Sequence, residues 1–335
     1  MKPARILLAG YGSVGKAFHE LLVAEAPRLG ELLGTPPRIV GIVRRTGAWL
    51  DENGVPVGGT LLAKRQSMNV AQALEKLQPD ALVELTPSNL QTGEPGRAHI
   101  RAALERGIPV VTANKGPLLR HYDELTALAR EKRVPFRFEG TVGGSIPVLN
   151  LHEYCLPGNP VTRIDGILNG TSNYILTRMA DEGLGFEEAL NEAKELGYAE
   201  ADPTADVDGH DAAAKLAILA QHVLRLRLGF EDVERNGIRA ISAAAIRLAR
   251  QEGYAIRLIA SVDAATQRAS VAPRLVPKGS SLDVAGTLNV IRLTTAHAGA
   301  FTISGKGAGG TPTATAVLSD LVRCLTPREP VQPQA

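Results

Sequence analysis

The chain has 335 residues, of which 37 are Lys or Arg and 35 are Asp or Glu, so its formal net charge is +2 with the histidines neutral. This length predicts about two domains, and a hydrophobic fraction of 44% is typical of folded rather than disordered chains. The near balance of charges argues against a nucleic-acid-binding protein, and no apolar run reaches the roughly 18 residues that a membrane span requires.

A short apolar strand over residues 6–9 opens the chain and runs directly into a glycine-rich turn, after which a helical pattern begins. The strand is too short to be the core of a signal peptide, so we expect the protein to remain in the cytoplasm. The turn reads G-x-G-x-x-G over residues 10–15, between a strand and a helix, which is the context in which this motif binds a dinucleotide. The candidate cofactor-binding residues are Gly10, Gly12, Ser13, Val14 and Gly15. The alternative is a glycine-rich turn without a ligand.

Arg44 and Arg45 follow the second apolar strand, which we place at residues 39–43. An acidic residue at this position holds the ribose hydroxyls of NAD, whereas an arginine accepts the 2′-phosphate of NADP. Two arginines without an acid therefore predict NADP as the preferred cofactor. The alternative is that both side chains are simply exposed at the end of a strand.

Further short apolar runs at residues 81–85 and 108–112 predict two more buried strands, and helical patterns at residues 70–77 and 98–105 separate the strands. Strands that alternate with helices indicate an α/β domain with a doubly wound (Rossmann) parallel sheet. We assign residues 1–138 to this domain. A glycine-rich turn and helix at residues 305–325 predict that the segment 305–335 returns to it, with a frayed tail after residue 326.

Residues 139–304 predict a second domain of the α+β class. Its strand-like runs lie at residues 161–168, 257–263 and 269–275, and its helical patterns lie at residues 172–182, 186–196 and 210–226.

The most distinctive stretch of this second domain is a polar loop that leads into an apolar helix, with five acids over the loop and the first turn of the helix. Asp211 and Lys215 are four residues apart on that helix and so share one face. The neighbours of Lys215 are apolar, a setting that disfavours its charged form, and a lysine tuned in this way exchanges a proton near neutral pH. Glu200, Asp206, Asp208 and Asp211 are candidates to hold a cationic group of a substrate. The alternative is an ordinary helix ion pair beside a solvated acidic loop.

The run from Ala193 to Lys215, A-x3-G-Y-A-x2-D-P-x2-D-V-x-G-x-D-x3-K, resembles the signature of the homoserine dehydrogenase family. Four further blocks resemble that family in family order: residues 111–115, 139–147, 168–176 and 305–310. The resemblance implies an NAD(P)-dependent oxidoreductase that reduces L-aspartate 4-semialdehyde to L-homoserine, on the route to threonine, methionine and isoleucine. It also implies that the second domain binds the substrate and forms a homodimer.

The resemblance assigns a role to each residue that matches a family position. Lys215 matches the proton donor to the carbonyl oxygen, and Lys115 matches a lysine implicated in cofactor binding and catalysis. The positions that match substrate contacts are Gly170, Thr171, Tyr198, Glu200 and Asp211. Thr86 and Gly307 match positions beside the nicotinamide, in a site expected between the two domains.

The block at residues 139–147 resembles the family's loop for a monovalent cation, Na+ or K+. The resemblance implies main-chain carbonyl ligands from Glu139, Val142, Gly144 and Ile146, and alkali cations do prefer oxygen ligands. The alternative is a helix cap at Ser145 with Pro147 in the first turn. Lys306 departs from the family pattern, which usually has proline there, and either contacts a phosphate or faces solvent.

The sequence leaves two rival functions open. One is a related NADP-dependent dehydrogenase of another small aldehyde or amino acid, and the other is a dinucleotide sensor without catalytic activity. The two predicted domains use up the length of the chain, so we expect a short form without a regulatory domain or a fused aspartokinase, and weak or absent inhibition by threonine.

Overall fold

The computed structural model describes residues 2–58 and 65–326, which fall into two compact units. One unit contains the chain up to Thr141 and the segment from Gly309 onwards, and the other contains Val142–Ala308. The tail that the sequence predicts to be frayed, residues 327–335, lies outside the described residues. Within the described residues, no helix is both long and apolar enough to cross a membrane.

The first unit is built on a six-stranded sheet in the order β3-β2-β1-β4-β5-β6. Its strands are β1 (Arg5–Ala9), β2 (Arg38–Arg44), β3 (Gly47–Leu50), β4 (Ala81–Glu84), β5 (Val110–Thr112) and β6 (Phe136–Arg137). All neighbouring strands are parallel except β3, which pairs antiparallel with β2. The strand order reverses between β1 and β4, and ligands of such sheets bind outside the carboxyl ends of the strands at this switch point.

Helices cover both faces of this sheet because the strands alternate their side chains between two apolar layers. The helices are α1 (Ser13–Ala24), α2 (Ala26–Leu33), α3 (Val70–Leu77), α4 (Gly96–Glu105), α5 (Lys115–Lys132) and, from the end of the chain, α12 (Gly310–Leu325). Ile6 and Leu8 of β1 pack in one cluster with residues of α1, α2 and α12, whereas Leu7 packs in the other with residues of α3, α4 and α5. A doubly wound α/β unit, as predicted, is the result.

The second unit contains another six-stranded sheet, in the order β12-β11-β7-β9-β10-β8. The strands are β7 (Val161–Ile167), β8 (Val233–Arg235), β9 (Tyr254–Asp263), β10 (Ala269–Pro277), β11 (Leu288–Thr295) and β12 (Ala300–Lys306). Neighbours are antiparallel except β8 and β10. The helices are α6 (Val148–Asn150), α7 (Gly170–Glu182), α8 (Phe186–Glu195), α9 (Thr204–Val207), α10 (His210–His222) and α11 (Ala243–Gln251). A π-helical turn, Leu151–Cys155, follows α6.

Helix α10 lies at the centre of this second unit. Every residue from Ala212 to Ala220 is buried, Lys215 included. A helix that is apolar around its whole circumference must be enclosed on all sides, and α10 contacts β8, β9 and β10 as well as α9. The polar first turn of α10 and its buried Lys215 are therefore held in place by a closely packed helix.

Two sequence interpretations need correction. The stretch that begins at Gly305 is not yet a turn, because Gly305 and Lys306 are the last residues of β12 and pair with Asn289 and Leu288 of β11. The turn comprises the next residues, and α12 begins at Gly310. The first sheet is also not wholly parallel, because a tight connection at Arg45 and Thr46 returns β3 antiparallel to β2.

Candidate active site

Gly10 forms the tight turn at the carboxyl end of β1. Its φ of +94° lies in the left-handed region, and a Cβ there would come within 2.4 Å of the Leu85 carbonyl oxygen and 2.6 Å of the Thr86 nitrogen. Only glycine tolerates both the backbone conformation and this close approach. The turn therefore lies directly against the chain that leaves β4.

Gly12 and Gly15 have different surroundings. A Cβ on Gly15 would lie 2.5 Å from the Gly10 carbonyl oxygen, so this glycine lets α1 pack against the turn. A Cβ on Gly12 would meet nothing within 4 Å, and Gly12 and Ser13 are exposed at the start of α1. Gly12 caps α1 without a side-chain hydrogen bond, which leaves the first helical N–H groups to bind an anion. An open face above the second glycine fits a pyrophosphate.

Arg44 and Arg45 are both exposed at the connection between β2 and β3. The Arg44 guanidinium lies 6.0 Å from the centre of the Trp49 ring, a cation–π distance that limits its range of positions. Arg45 lies in the connection itself. Because β2 is the neighbour of β1 on the side away from β4, these arginines lie on the side of the glycine turn where the adenosine half of a dinucleotide binds.

On the other side of the glycine turn, Thr86 follows β4, and Lys115 follows β5 as the first residue of α5. The Asn114 side chain caps α5 by accepting from the Gly116 N–H, and the Lys115 N–H donates to the Ser88 hydroxyl at 3.0 Å. Asn114 Nδ2 also donates to Thr86 Oγ1 at 3.3 Å. The ends of β4 and β5 thus present Thr86 and Lys115 at the same edge of the sheet.

Lys215 is the centre of the candidate site in the second unit. Its Nζ lies 2.7 Å from Asp211 Oδ2 and donates to the Leu168 carbonyl oxygen at 2.7 Å. The residue is only 6% exposed. The helix around it is apolar, as the sequence shows, but the carboxylate and the carbonyl supply two acceptors for its ammonium group. The amine is thereby held in a fixed position.

Asn169 links the start of α7 to the acids around Lys215. Its Nδ2 donates to Asp206 Oδ1 at 2.6 Å and to Asp211 Oδ2 at 3.1 Å, while its Oδ1 accepts from the Ser172 N–H at 2.8 Å. Burial raises the pKa of Asp206, and the nearby carboxylates of Asp211 and Glu200 raise it further, against the lowering by Asn169. Clustered carboxylates of this kind favour a cationic ligand.

The predicted substrate residues before and after α8 approach one another. Thr171 Oγ1 donates to the Tyr198 carbonyl oxygen at 2.7 Å, and the rings of Tyr174 and Tyr198 lie 4.8 Å apart. Gly170 begins α7, where a Cβ would lie 2.7 Å from the Thr287 carbonyl oxygen. Glu200 is exposed in the acidic loop. This loop, α7 and α10 therefore bring the predicted substrate residues of the second unit into one region.

The carboxylate of Asp208 forms an ion pair within the protein. It pairs with the Arg239 guanidinium, with Oδ1 and Nε 2.6 Å apart. Of the four acids proposed for a cationic group, Asp208 thus pairs with Arg239 and Asp211 with Lys215. Asn169 and the Leu168 carbonyl were not singled out by sequence reasoning, although both belong to a block that resembles the family.

The glycine pair Gly143 and Gly144 packs against the segment after β12. Both have left-handed φ values, and a Cβ on Gly144 would lie 2.7 Å from the Gly307 carbonyl carbon. The Ser145 hydroxyl donates to the Lys306 carbonyl oxygen at 3.1 Å and does not cap α6, so the alternative of a serine cap is wrong. The Lys306 side chain is exposed.

Gly307 lies over the side chain of Asn289, close enough that no Cβ fits. Asn289 is fully buried, and neither polar atom of its amide has a hydrogen-bond partner among the described residues. Sequence reasoning did not identify Asn289.

Two family models match the chain. The model described as homoserine dehydrogenase matches residues 147–322, and the one described as homoserine dehydrogenase, NAD binding domain, matches residues 10–139.

Individual relatives agree with these matches over almost the whole chain. A homoserine dehydrogenase of Methanocaldococcus jannaschii is 41% identical, covering 95% of this chain and 97% of its own. An NAD(+)-dependent homoserine dehydrogenase of Pseudomonas canavaninivorans is 38% identical, covering 96% of both chains. The solved structure of a hyperthermophilic archaeal homoserine dehydrogenase mutant in complex with NADPH is similar with a TM-score of 0.81 and 29% identity, covering 96% of this chain and 98% of that one.

Proposed function

The chain belongs to the homoserine dehydrogenase family, and from this premise we propose how its residues perform the reaction. The protein is an NAD(P)-dependent oxidoreductase that interconverts L-aspartate 4-semialdehyde and L-homoserine, and neither rival function is favoured. The observation that carries our residue assignment is the buried Lys215 ammonium, fixed by Asp211 and the Leu168 carbonyl. Its test is NADPH oxidation with L-aspartate 4-semialdehyde in the wild-type protein and in Lys215 variants.

In our proposal Lys215 is the proton donor. As hydride reaches the aldehyde carbon, negative charge develops on the carbonyl oxygen, and a positioned ammonium group both stabilises and protonates it. The two acceptors of Lys215 hold Nζ in place before the substrate arrives. One of these acceptors, the carboxylate of Asp211, lies 2.7 Å from Nζ. Lys115 lies on the nicotinamide side of the site and contributes to cofactor binding and catalysis.

The carboxylates of Glu200 and Asp211 would bind the substrate's ammonium group, together with backbone groups at Gly170, Thr171 and Tyr198. Burial is the main cause of the raised pKa of Asp206, and the neighbouring carboxylates of Asp211 and Glu200 add to it, so three carboxyl groups lie close enough to interact with one cation. The contact between the Tyr174 and Tyr198 rings and the hydrogen bond from Thr171 hold the segment around Tyr198 against α7. Charge complementarity thus orients the amino acid with its aldehyde towards Lys215.

The dinucleotide would be held by Gly10, Gly12, Ser13, Val14 and Gly15, with Thr86, Lys115 and Gly307 on its nicotinamide half. When bound, the reduced nicotinamide supplies the hydride. The open space above Gly12 and the exposed helix start supply the fit for the pyrophosphate. Lys115 lies at the start of α5, beside the end of β5.

We propose that NADP is preferred over NAD because Arg44 and Arg45 are exposed at the connection after β2. Replacing Arg45 with alanine is expected to raise the Kd for NADPH about tenfold or more, the effect of losing a hydrogen bond to a charged phosphate. The Kd for NADH should change little. Titration of both reduced cofactors by fluorescence measures the two constants.

Arg38 offers a matched control for this comparison. It is exposed at the opposite end of the same strand, so Arg38→Ala removes an equal charge without approaching the phosphate. An unchanged NADPH-to-NADH ratio in Arg45→Ala, or an equal change in Arg38→Ala, would contradict the assignment. The comparison of NADPH with NADH is informative because one relative of this chain is named as an NAD(+)-dependent homoserine dehydrogenase.

A monovalent cation, Na+ or K+, is proposed to bind the main-chain carbonyls of Glu139, Val142, Gly144 and Ile146. The left-handed Gly143 and Gly144 and the burial of all four proposed ligand residues support this segment as a carbonyl loop. The Ile146 carbonyl already accepts from the Val148 N–H at 2.9 Å, and its second lone pair suits a cation. Among the described residues, no group of three or more His, Cys, Asp or Glu side chains fits a metal.

Removal of Na+ and K+ is expected to reduce activity, since the loop packs against the segment that carries Gly307. The measurement compares turnover in sodium, potassium and tetramethylammonium chloride at the same ionic strength, so that only the ion's size and ligand preference change. Equal turnover in all three salts would contradict a cation site.

A homodimer is also proposed, on the strength of the family resemblance. The second sheet carries a polar cluster in which Asp165, only 2% exposed, accepts from Arg163, Arg292 and Ser261. Asp165 pairs with Arg292 of β11 on one side and with Ser261 of β9 on the other, so the cluster spans three neighbouring strands of this sheet.

A further inference from the structure

Glu84, the last residue of β4, is a carboxylate with no solvent exposure. Burial of such a group costs free energy unless hydrogen bonds compensate for the lost water. Glu84 Oε1 accepts from the Thr86 hydroxyl and from the Thr86 N–H at 3.1 Å, and Oε2 accepts from the Thr112 hydroxyl at 3.1 Å. The carboxylate therefore ties the end of β4 to the end of β5.

The proton positions in this cluster follow from the donors around it. The Thr112 hydroxyl accepts from the Asn114 N–H at 3.0 Å, so its own proton points towards Glu84, whose main-chain carbonyl oxygen lies 2.8 Å away and whose Oε2 lies 3.1 Å away. Asn114 Oδ1 accepts from the Gly116 N–H at 3.1 Å, which turns Nδ2 of the same amide towards Thr86. His99 Nδ1 lies 3.6 Å from Glu84 Oε1. The N–H and the hydroxyl of Thr86 both donate to this same oxygen.

The direction of the Thr86 hydroxyl is thereby fixed. Its proton is committed to Glu84 Oε1, and one lone pair of Oγ1 accepts from Asn114 Nδ2. A hydroxyl oxygen has two lone pairs, so one remains on the half-buried side chain. A ligand that reaches Thr86 meets a hydrogen-bond acceptor and not a donor.

We propose that Glu84 is a positioning residue that makes Thr86 an obligate acceptor and so selects a cofactor ring with a carboxamide N–H group. The inference rests on the proposed placement of Thr86 beside the nicotinamide. A nicotinamide offers two amide protons to this oxygen, whereas an acetylpyridine ring has a methyl group in their place. The hydrogen bonds among Glu84, Thr86 and Asn114 thus favour a cofactor that has an amide nitrogen at this position.

The first experiment uses the wild-type protein and two NADPH analogues. The thionicotinamide analogue keeps the amino group and changes the carbonyl oxygen, while the 3-acetylpyridine analogue keeps the oxygen and loses the amino group. We expect the thionicotinamide analogue to bind with nearly the Kd of NADPH and the acetylpyridine analogue about three- to tenfold more weakly, the effect of one hydrogen bond. The reverse order of affinities would overturn the proposal.

The second experiment replaces Glu84 with leucine, which is apolar and offers no acceptor to the Thr86 hydroxyl. The hydroxyl is then free to donate outwards, so the preference for NADPH over the acetylpyridine analogue should fall about three- to tenfold. The ratio of the two Kd values within each protein cancels the intrinsic differences between the analogues. A preference equal to that of the wild type would overturn the proposal.

Four further variants separate this inference from its premise. Thr86→Val should abolish the preference, and adding Glu84→Leu to it should change nothing more; Thr86→Ser should keep the preference. Thr112→Val, which removes the other hydroxyl partner of Glu84, should lower thermal stability without changing the preference. If Thr86→Val leaves both Kd values unchanged, the placement of Thr86 is wrong and the inference falls with it. If Thr86→Val changes the preference but Glu84→Leu does not, only the inference falls.

Discussion

Replacing Lys215 with methionine is expected to lower kcat about 10²- to 10⁴-fold, the usual contribution of a general acid. Methionine has a similar length but carries no charge and no proton to donate. Its loss removes both the stabilisation and the protonation of the developing alkoxide. Turnover is measured as the loss of NADPH absorbance with saturating L-aspartate 4-semialdehyde.

Binding of the cofactor should survive this substitution. Lys215 lies in the second unit, whereas the glycine turn lies in the first, so the Kd for NADPH should be close to that of the wild type. Because methionine leaves Asp211 without its cation, Lys215→Met/Asp211→Asn serves as a second variant with a neutral partner. Both should bind NADPH and both should lack turnover.

Lys278 provides the matched control, since it is an exposed lysine in the same unit, on the connection after β10. Lys278→Met should keep full activity. Appreciable turnover in a folded Lys215→Met protein would remove Lys215 from the role of proton donor, and a loss of NADPH binding would show that its main effect is structural.

Replacing Gly12 with alanine is expected to weaken dinucleotide binding while leaving the fold intact. Its Cβ meets no protein atom within 4 Å, and its φ of −84° suits any residue. In the complex the methyl group would enter the space assigned to the pyrophosphate. Overpacking of this kind costs about 1–3 kcal/mol, which corresponds to about a 5- to 150-fold rise in Kd. Fluorescence titration with NADPH measures the change.

Gly10→Ala is the contrasting variant in the same turn. Its Cβ would lie 2.4 Å from a backbone oxygen, and its φ is +94°, so the substitution strains the folded protein itself. Thermal unfolding should show a clearly lower Tm for Gly10→Ala and a much smaller decrease for Gly12→Ala, where alanine replaces glycine at the helix N-cap. A Gly12→Ala protein that binds NADPH with the wild-type Kd would contradict the assignment of this turn to the pyrophosphate.

Local features of the fold were accessible from the sequence because they depend on short-range geometry. Glycines between a strand and a helix predict the first turn, and residues four apart on a helix predict that Asp211 and Lys215 meet. The structure places their charged atoms 2.7 Å apart. The strands β1, β2, β4 and β5 of the first sheet were also predicted closely, because buried parallel strands are continuous apolar runs, whereas the short edge strands β3 and β6 were not predicted.

Features that depend on distant residues were not accessible in this way. Leu168 and Lys215 are separated by 47 positions, and Thr112 and Glu84 by 28, so nothing in either local sequence indicates the contact. The strands β11 and β12 lack a strong alternating pattern because Asn289, Val290 and Ile291 are buried in succession in β11, and the first three residues of β12 are all exposed. The partner of Asp208, Arg239, likewise comes from a distant segment.

The most direct test of the account is NADPH oxidation by the purified wild-type chain with a set of aldehydes of increasing length and with the amino group present or absent. We expect rapid oxidation of NADPH with L-aspartate 4-semialdehyde and little with glutamate 5-semialdehyde. We also expect little with succinate semialdehyde, which lacks the ammonium group that Glu200 and Asp211 are proposed to bind. Comparable rates with all three, or oxidation of none by a protein that binds NADPH, would contradict it.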